Sequence, residues 1–187
     1  IETARNCLAV RKFIESNSLD AFTINFRKIG GDSGITAMPF IEACKAMARG
    51  VGYAGEGDVM TAAFTGALLK GYTDTTFCEI FCPDWKNNSL LISHMGEYNL
   101  ALVKGKPGMK KINFIYGENT LDPVVSYGCY RAGEAVFINL FKAEDGYKLL
   151  ISPIEMLDVP ERAFEFKVRG WFTPRTMSID SFLEDLS

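Results

Sequence analysis

Histidine is almost absent: His94 is the single imidazole in 187 residues. A four-ligand structural zinc site therefore has little to draw on, because Cys78 and Cys82 have no second cysteine pair to complete them. The five cysteines (Cys7, Cys44, Cys78, Cys82 and Cys129) are an odd number in a chain long enough to fold on its own core. That favours reduced thiols used as small buried hydrophobes over a disulfide framework. Long apolar runs are missing too. Charged or turn residues interrupt every stretch before the ~18 residues a membrane-spanning helix needs, and no basic-then-apolar leader opens the chain. The expectation is a soluble, cytoplasmic protein with no membrane partner. A charge excess is also lacking: 20 Lys and Arg against 23 Asp and Glu leave a net −3, which provides no field for nucleic acid.

What is present is an ordinary globular balance, 48% hydrophobic and 23% charged. From Glu2 to about Lys70, helix and strand signals alternate. A helix runs to Ser16, a strand from Ala21 to Phe26, and a helix starts near Pro39 and stops at Gly50 and Gly52. After Gly55-Glu56-Gly57 another helix begins at Asp58, whose carboxylate is placed to cap the amides of Met60 or Thr61. From Thr75 onward the pattern becomes short β-rich runs: 75–81, 89–93, 98–103, 112–116, 124–130, 135–142 and 147–154. Glu144-Asp145-Gly146 joins the last two as a hairpin. The reading is α+β overall, an α/β segment over 1–75 followed by an antiparallel β-barrel over 76–187.

Three residues could carry chemistry together. Glu56 lies between two glycines that leave its side chain uncrowded at the mouth of a helix. Glu79 alternates with Phe77 and Phe81 on one strand face, where a carboxylate needs a partner or solvent. His94 follows the strand-like run Leu90-Leu91-Ile92-Ser93. Oxygen and nitrogen donors without thiolate suit Mn²⁺, Mg²⁺ or Co²⁺ better than a soft-ligand zinc or copper site.

The segments Asp20-Ala21-Phe22-Thr23-Ile24-Asn25-Phe26, Gly52-Tyr53-Ala54-Gly55-Glu56-Gly57-Asp58 with Thr61-Ala62-Ala63, Phe77-Cys78-Glu79 and Ser93-His94-Met95-Gly96-Glu97 occur in this order. In that order the chain resembles the L-arabinose and L-fucose isomerase group. The resemblance implies a divalent-metal aldose–ketose isomerase with an α/β middle region and a C-terminal β-barrel. It also implies a small sugar substrate and a homo-oligomer whose sites lie between subunits. By the same resemblance Glu56, Glu79 and His94 are metal ligands. The resemblance also places the two glutamates for proton transfer, one carboxylate moving a proton between C2 and C1 through a cis-enediol.

The departures are as specific as the matches. Val59-Met60 stands where arabinose members carry Trp-Lys, and Ile80-Phe81 where they carry acidic-aromatic residues; Glu79 sits where fucose members place Asp. The fourth ligand of the arabinose pattern is a histidine after a helix like the one expected from Ser178 to Leu186, and no histidine follows His94. Residue 1 is Ile and already reads as helix interior, so the expectation is an excised C-terminal piece of a longer isomerase, inert by itself and a weak metal binder at best. Two other readings stand beside it: a non-catalytic sugar-binding or regulatory relative of the same fold, and a cysteine hydrolase using Cys78 or Cys82 with His94. Lys104, Lys106, Lys110 and Lys111 around Pro107-Gly108 read as a solvated hairpin tip, Trp85 and Trp171 as core or interface residues, and Gly30-Gly31-Asp32-Ser33-Gly34 as a simple connection.

Overall fold

The structure, a computed structural model, describes residues 1–30, 33–117, 119–160 and 168–186. Helix α1 (Glu2–Ser16) leads to strand β1 (Ala21–Thr23), shorter than the expected run to Phe26. The reason is Asn25, whose side chain accepts from the Arg27 amide and starts a 3₁₀ turn over Phe26–Lys28. Helix α2 (Phe40–Ala48) starts after Pro39, as expected. Strand β2 (Gly52–Ala54) then pairs in parallel with β1, Ala21 against Gly52 through Thr23 against Ala54. Helix α3 (Val59–Leu69) follows β2 and packs against both strands, and Asp58 caps it by accepting from the Thr61 amide at 2.9 Å.

Gly52 belongs to a strand and does more than stop a helix. A Cβ on it would lie 2.3 Å from the Gly66 amide nitrogen on α3. The two glycines let helix and strand touch backbone to backbone, and that contact fixes the loop between β2 and α3.

The β-rich part contains β3 (Glu79–Asp84), β4 (Ser89–His94), β5 (Gly108–Lys111), β6 (Val124–Cys129), β7 (Gly133–Ala143), β8 (Gly146–Met156) and β9 (Val168–Pro174), followed by α4 (Ile179–Asp185). Two expected strands are not strands. Over 98–103, the Asn99 side chain caps the Ala101 amide and produces a 3₁₀ turn. Residues 112–116 form an irregular stretch that buries Phe114, while the strand beside it is β5, which holds Lys110 and Lys111 of the supposed hairpin tip. Gly31 and Asp32 of the Gly-rich connection lie outside the described residues.

The barrel does not close among the described residues. Strand β9 is the hub. One edge pairs with β4, and the other is shared between β6 at Val168 and Arg169 and β8 at Phe172 to Pro174. The β6–β9 pairing is parallel, so the sheet is mixed and forks where a barrel would continue around. Its main core holds Leu90, Tyr98, Val168, Phe172 and Phe182 with Cys44 from α2, so the α/β and β-rich parts share apolar packing.

Candidate active site

One cleft of ≈ 230 Å³ is lined by Glu56, Glu79, His94 and Glu97. Much of its remaining wall is apolar, including Phe26, Phe40, Phe114 and Tyr116. Each polar side chain arrives for a local reason.

Glu56 sits in the β2–α3 loop with φ +62, a left-handed conformation unusual for a glutamate, followed by Gly57 at +90. The Thr23 hydroxyl clamps this turn, donating to the Ala54 carbonyl at 2.7 Å and accepting from the Gly57 amide at 3.0 Å. Strain of this kind persists only where neighbours enforce it, and it concentrates at functional positions.

Glu79 opens β3, while its neighbours Cys78 and Ile80 pack against the main core. The antiparallel register sets Glu79 opposite Ser93, which brings it beside His94 at the end of β4, with Glu79 Oε1 3.5 Å from His94 Nε2. A register irregularity between Ile80 and Cys82 follows, and Phe81 lines the same cleft. Phe77 has left this face: it is buried edge-on against the imidazole, ring centres 5.0 Å apart.

The sequence reading missed Glu97 as a site residue. It is 2% exposed, with Oε1 accepting from the Tyr53 hydroxyl and Oε2 against His94 Nδ1. Gly96, at φ +81, makes the turn that folds Glu97 back onto the ring three residues earlier. The signal lay in the His-x-Gly-Glu spacing, but only the turn gives that spacing a meaning.

Burial works against a charge on His94, yet the hydrogen bonds and charges of Glu79 and Glu97 outweigh it and raise the imidazole to about 10. Burial, then the charge of Glu97, pushes the Tyr53 phenol well above its usual range, so it stays a donor. Burial also holds Cys78 up at about 12, the opposite of what a nucleophilic thiolate requires.

Glu56, Glu79 and His94 thus share one cleft, although among the described residues no three His, Cys, Asp or Glu side chains are gathered tightly enough to hold a metal ion. The donor chemistry fits a divalent cation nonetheless. Two carboxylates and an imidazole nitrogen line the cleft, and a buried carboxylate backs the other ring nitrogen, the usual support of a metal-binding histidine. Trp85 and Trp171 are not among the residues lining this cleft.

Residues 1–71 match the family model of the L-arabinose isomerase central domain. The chain is 29% identical over 163 residues to L-arabinose isomerase 1 of Bacillus licheniformis, covering 85% of this chain and 32% of that protein. It is 28% identical over 166 residues to the L-arabinose isomerase of Aeromonas salmonicida (86% and 32%) and 31% identical over 150 residues to that of Leuconostoc mesenteroides (78% and 31%). This chain is a relative of the L-arabinose isomerases. It spans about a third of the length of the curated relatives it matches. These matches support the arabinose half of the expected resemblance and lend nothing to the L-fucose half. In this L-arabinose isomerase relative, Glu56 lies inside the segment matched by the central-domain model, while Glu79 and His94 lie beyond it.

Proposed function

We propose that this chain supplies the metal-binding and proton-transfer residues of a divalent-metal-dependent aldose–ketose isomerase of the L-arabinose isomerase kind. The observation that carries the proposal is that Glu56, Glu79 and His94, from three separate elements, line one cleft with a buried carboxylate behind the imidazole. Glu56, Glu79 and His94 would hold Mn²⁺, Mg²⁺ or Co²⁺. When bound, the ion draws electron density from the sugar carbonyl and makes the neighbouring C–H more acidic. One of the two glutamates would take the C2 proton as base and return it at C1 as acid, by way of a cis-enediol, while the O2 hydroxyl proton passes to O1. Division at residues 75 and 76, a homo-oligomer with sites between subunits, and a cytoplasmic setting belong to the same proposal.

The chain contributes one histidine where the arabinose pattern uses two, so by itself it is expected to bind metal weakly and turn nothing over. The test is an isomerisation assay with L-arabinose and Mn²⁺. The gene-encoded polypeptide carrying this sequence should form the ketose, Glu79→Gln should lower kcat at least ~10³-fold within it, and the 187-residue chain alone should be inert. Full turnover by Glu79→Gln would overturn the proposal, and turnover by the chain alone would overturn its expected inertness. Sugar binding with neither turnover nor a divalent site would instead support a non-catalytic relative of the same fold.

A further inference from the structure

Glu97 poses a physical problem. A carboxylate this deeply buried costs several kcal/mol unless it is paired, and an apolar side chain of similar volume is often the more stable choice. Here both oxygens are committed: Oε1 to the Tyr53 hydroxyl and Oε2 to His94 Nδ1. Tyr53 is 1% exposed at the middle of β2, three residues before Glu56. The turn bearing Glu97 is itself pinned. The Gly96 amide donates to the His94 carbonyl at 2.9 Å, the Cys44 thiol donates to the Gly96 carbonyl at 2.9 Å, and a Cβ on Gly96 would meet Val125 at 2.8 Å.

We infer that Tyr53 and Glu97 form a buried positioning pair. It ties the strand that carries the Glu56 loop to the imidazole of His94, so that Nε2 faces Glu79 and the cleft while the loop and the ring keep a fixed mutual placement. The inference rests on the metal-site reading above and extends it to two residues whose polar atoms meet each other and the far nitrogen of His94. Two further contacts point the same way. Phe77 packs edge-on against both Tyr53 and His94, with ring centres 6.3 and 5.0 Å away, and the Gly55 backbone lies directly against the imidazole. The ring is therefore held from three sides, and only the Nδ1 side is polar and buried.

Because His94 is the single histidine, its ring protons give one assignable NMR pair, and Mn²⁺ bound at Nε2 broadens them. In the 187-residue chain, Glu97→Gln should raise the Mn²⁺ concentration for half-broadening roughly tenfold, as loss of an outer-sphere partner does at other metal sites, and Tyr53→Phe should raise it about threefold. Because both act through one link, the double variant should match Glu97→Gln alone. Circular dichroism run in parallel confirms that each variant is folded; should Glu97→Gln not fold, Tyr53→Phe carries the test. Folded variants whose half-broadening concentration stays within about twofold of the parent would overturn the inference, as would fully additive effects. Glu79→Gln separates the two levels. If it abolishes broadening while the Glu97 and Tyr53 variants do nothing, only the positioning pair is wrong; if it does nothing, or the parent shows no broadening, the metal-site reading fails and takes the inference with it.

Discussion

The backbone of Gly55 lies against the imidazole of His94: a Cβ at that position would sit 3.1 Å from Cε1 and 3.2 Å from Nε2. Residue 55 belongs to the loop before α3 and residue 94 to the end of β4, so this contact is where the two parts of the chain meet at the cleft. Gly55→Ala needs no left-handed backbone and should fold, at a cost of about 1–3 kcal/mol for overpacking. It should shift the His94 ring resonances and weaken Mn²⁺ broadening about tenfold. An NMR titration of the variant checks both.

Glu56 should behave as a residue kept against stability. Its φ of +62 suits glycine, so Glu56→Gly is expected to stabilise the chain by about 1 kcal/mol in urea unfolding while removing a metal donor. Loss of stability would mean that the Glu56 side chain contributes packing that its exposed position does not suggest.

The contact between Gly52 and Gly66 admits no side chain. A Cβ on Gly52 falls 2.3 Å from the Gly66 nitrogen, and one on Gly66 falls 2.8 Å from the Asp20 carbonyl oxygen. These neighbours are backbone and cannot rotate away. Either alanine variant should lose about 3 kcal/mol or more, read as a fall in the urea midpoint at unchanged slope.

Thiol reactivity should split the close cysteine pair. Cys82 is exposed, whereas burial pushes Cys78 and Cys44 up to about 12. At pH 8, iodoacetamide should label exposed Cys82 fastest in the folded chain, half-buried Cys78 far more slowly because its thiolate is scarce, and fully buried Cys44 only on unfolding, which mass spectrometry resolves. The same shifts set an alkaline limit. Above the ordinary thiol value of 9.0 the unfolded chain releases these protons first, so stability should fall as pH rises from 9.0 toward about 12. Rapid labelling of folded Cys78 at pH 8 would reopen a cysteine-based reading.

The α/β half was legible in the sequence because its signals are local: the Asp58 cap, Pro39 before α2, and glycines flanking Glu56. The hairpin at Glu144-Asp145-Gly146 was legible for the same reason, since Ala143 pairs with Gly146 across a two-residue turn. Strand β9 was not. Gly170 and Pro174 punctuate it, and the close neighbours of Gly170, the end of Met156 and the Tyr130 ring, come from distant segments that no local pattern reveals. The fork of the sheet at β9 stayed hidden likewise, because strand partners are a tertiary choice. Within the site, Glu56, Glu79 and His94 could be picked out by motif. Glu97 and Tyr53 could not, because their role exists only once β2 and the Gly96 turn are brought together.

The claim on which the rest depends is that Glu56, Glu79 and His94 serve one cation. The most direct measurement follows the His94 ring protons of the 187-residue chain as Mn²⁺ is raised to millimolar levels, in the parent and in Glu56→Gln and Glu79→Gln. The account predicts selective broadening of His94 in the parent and its loss, or a shift to at least ~10-fold higher Mn²⁺, in each variant. Broadening that is absent in the parent, or that is indifferent to both glutamates, would contradict it.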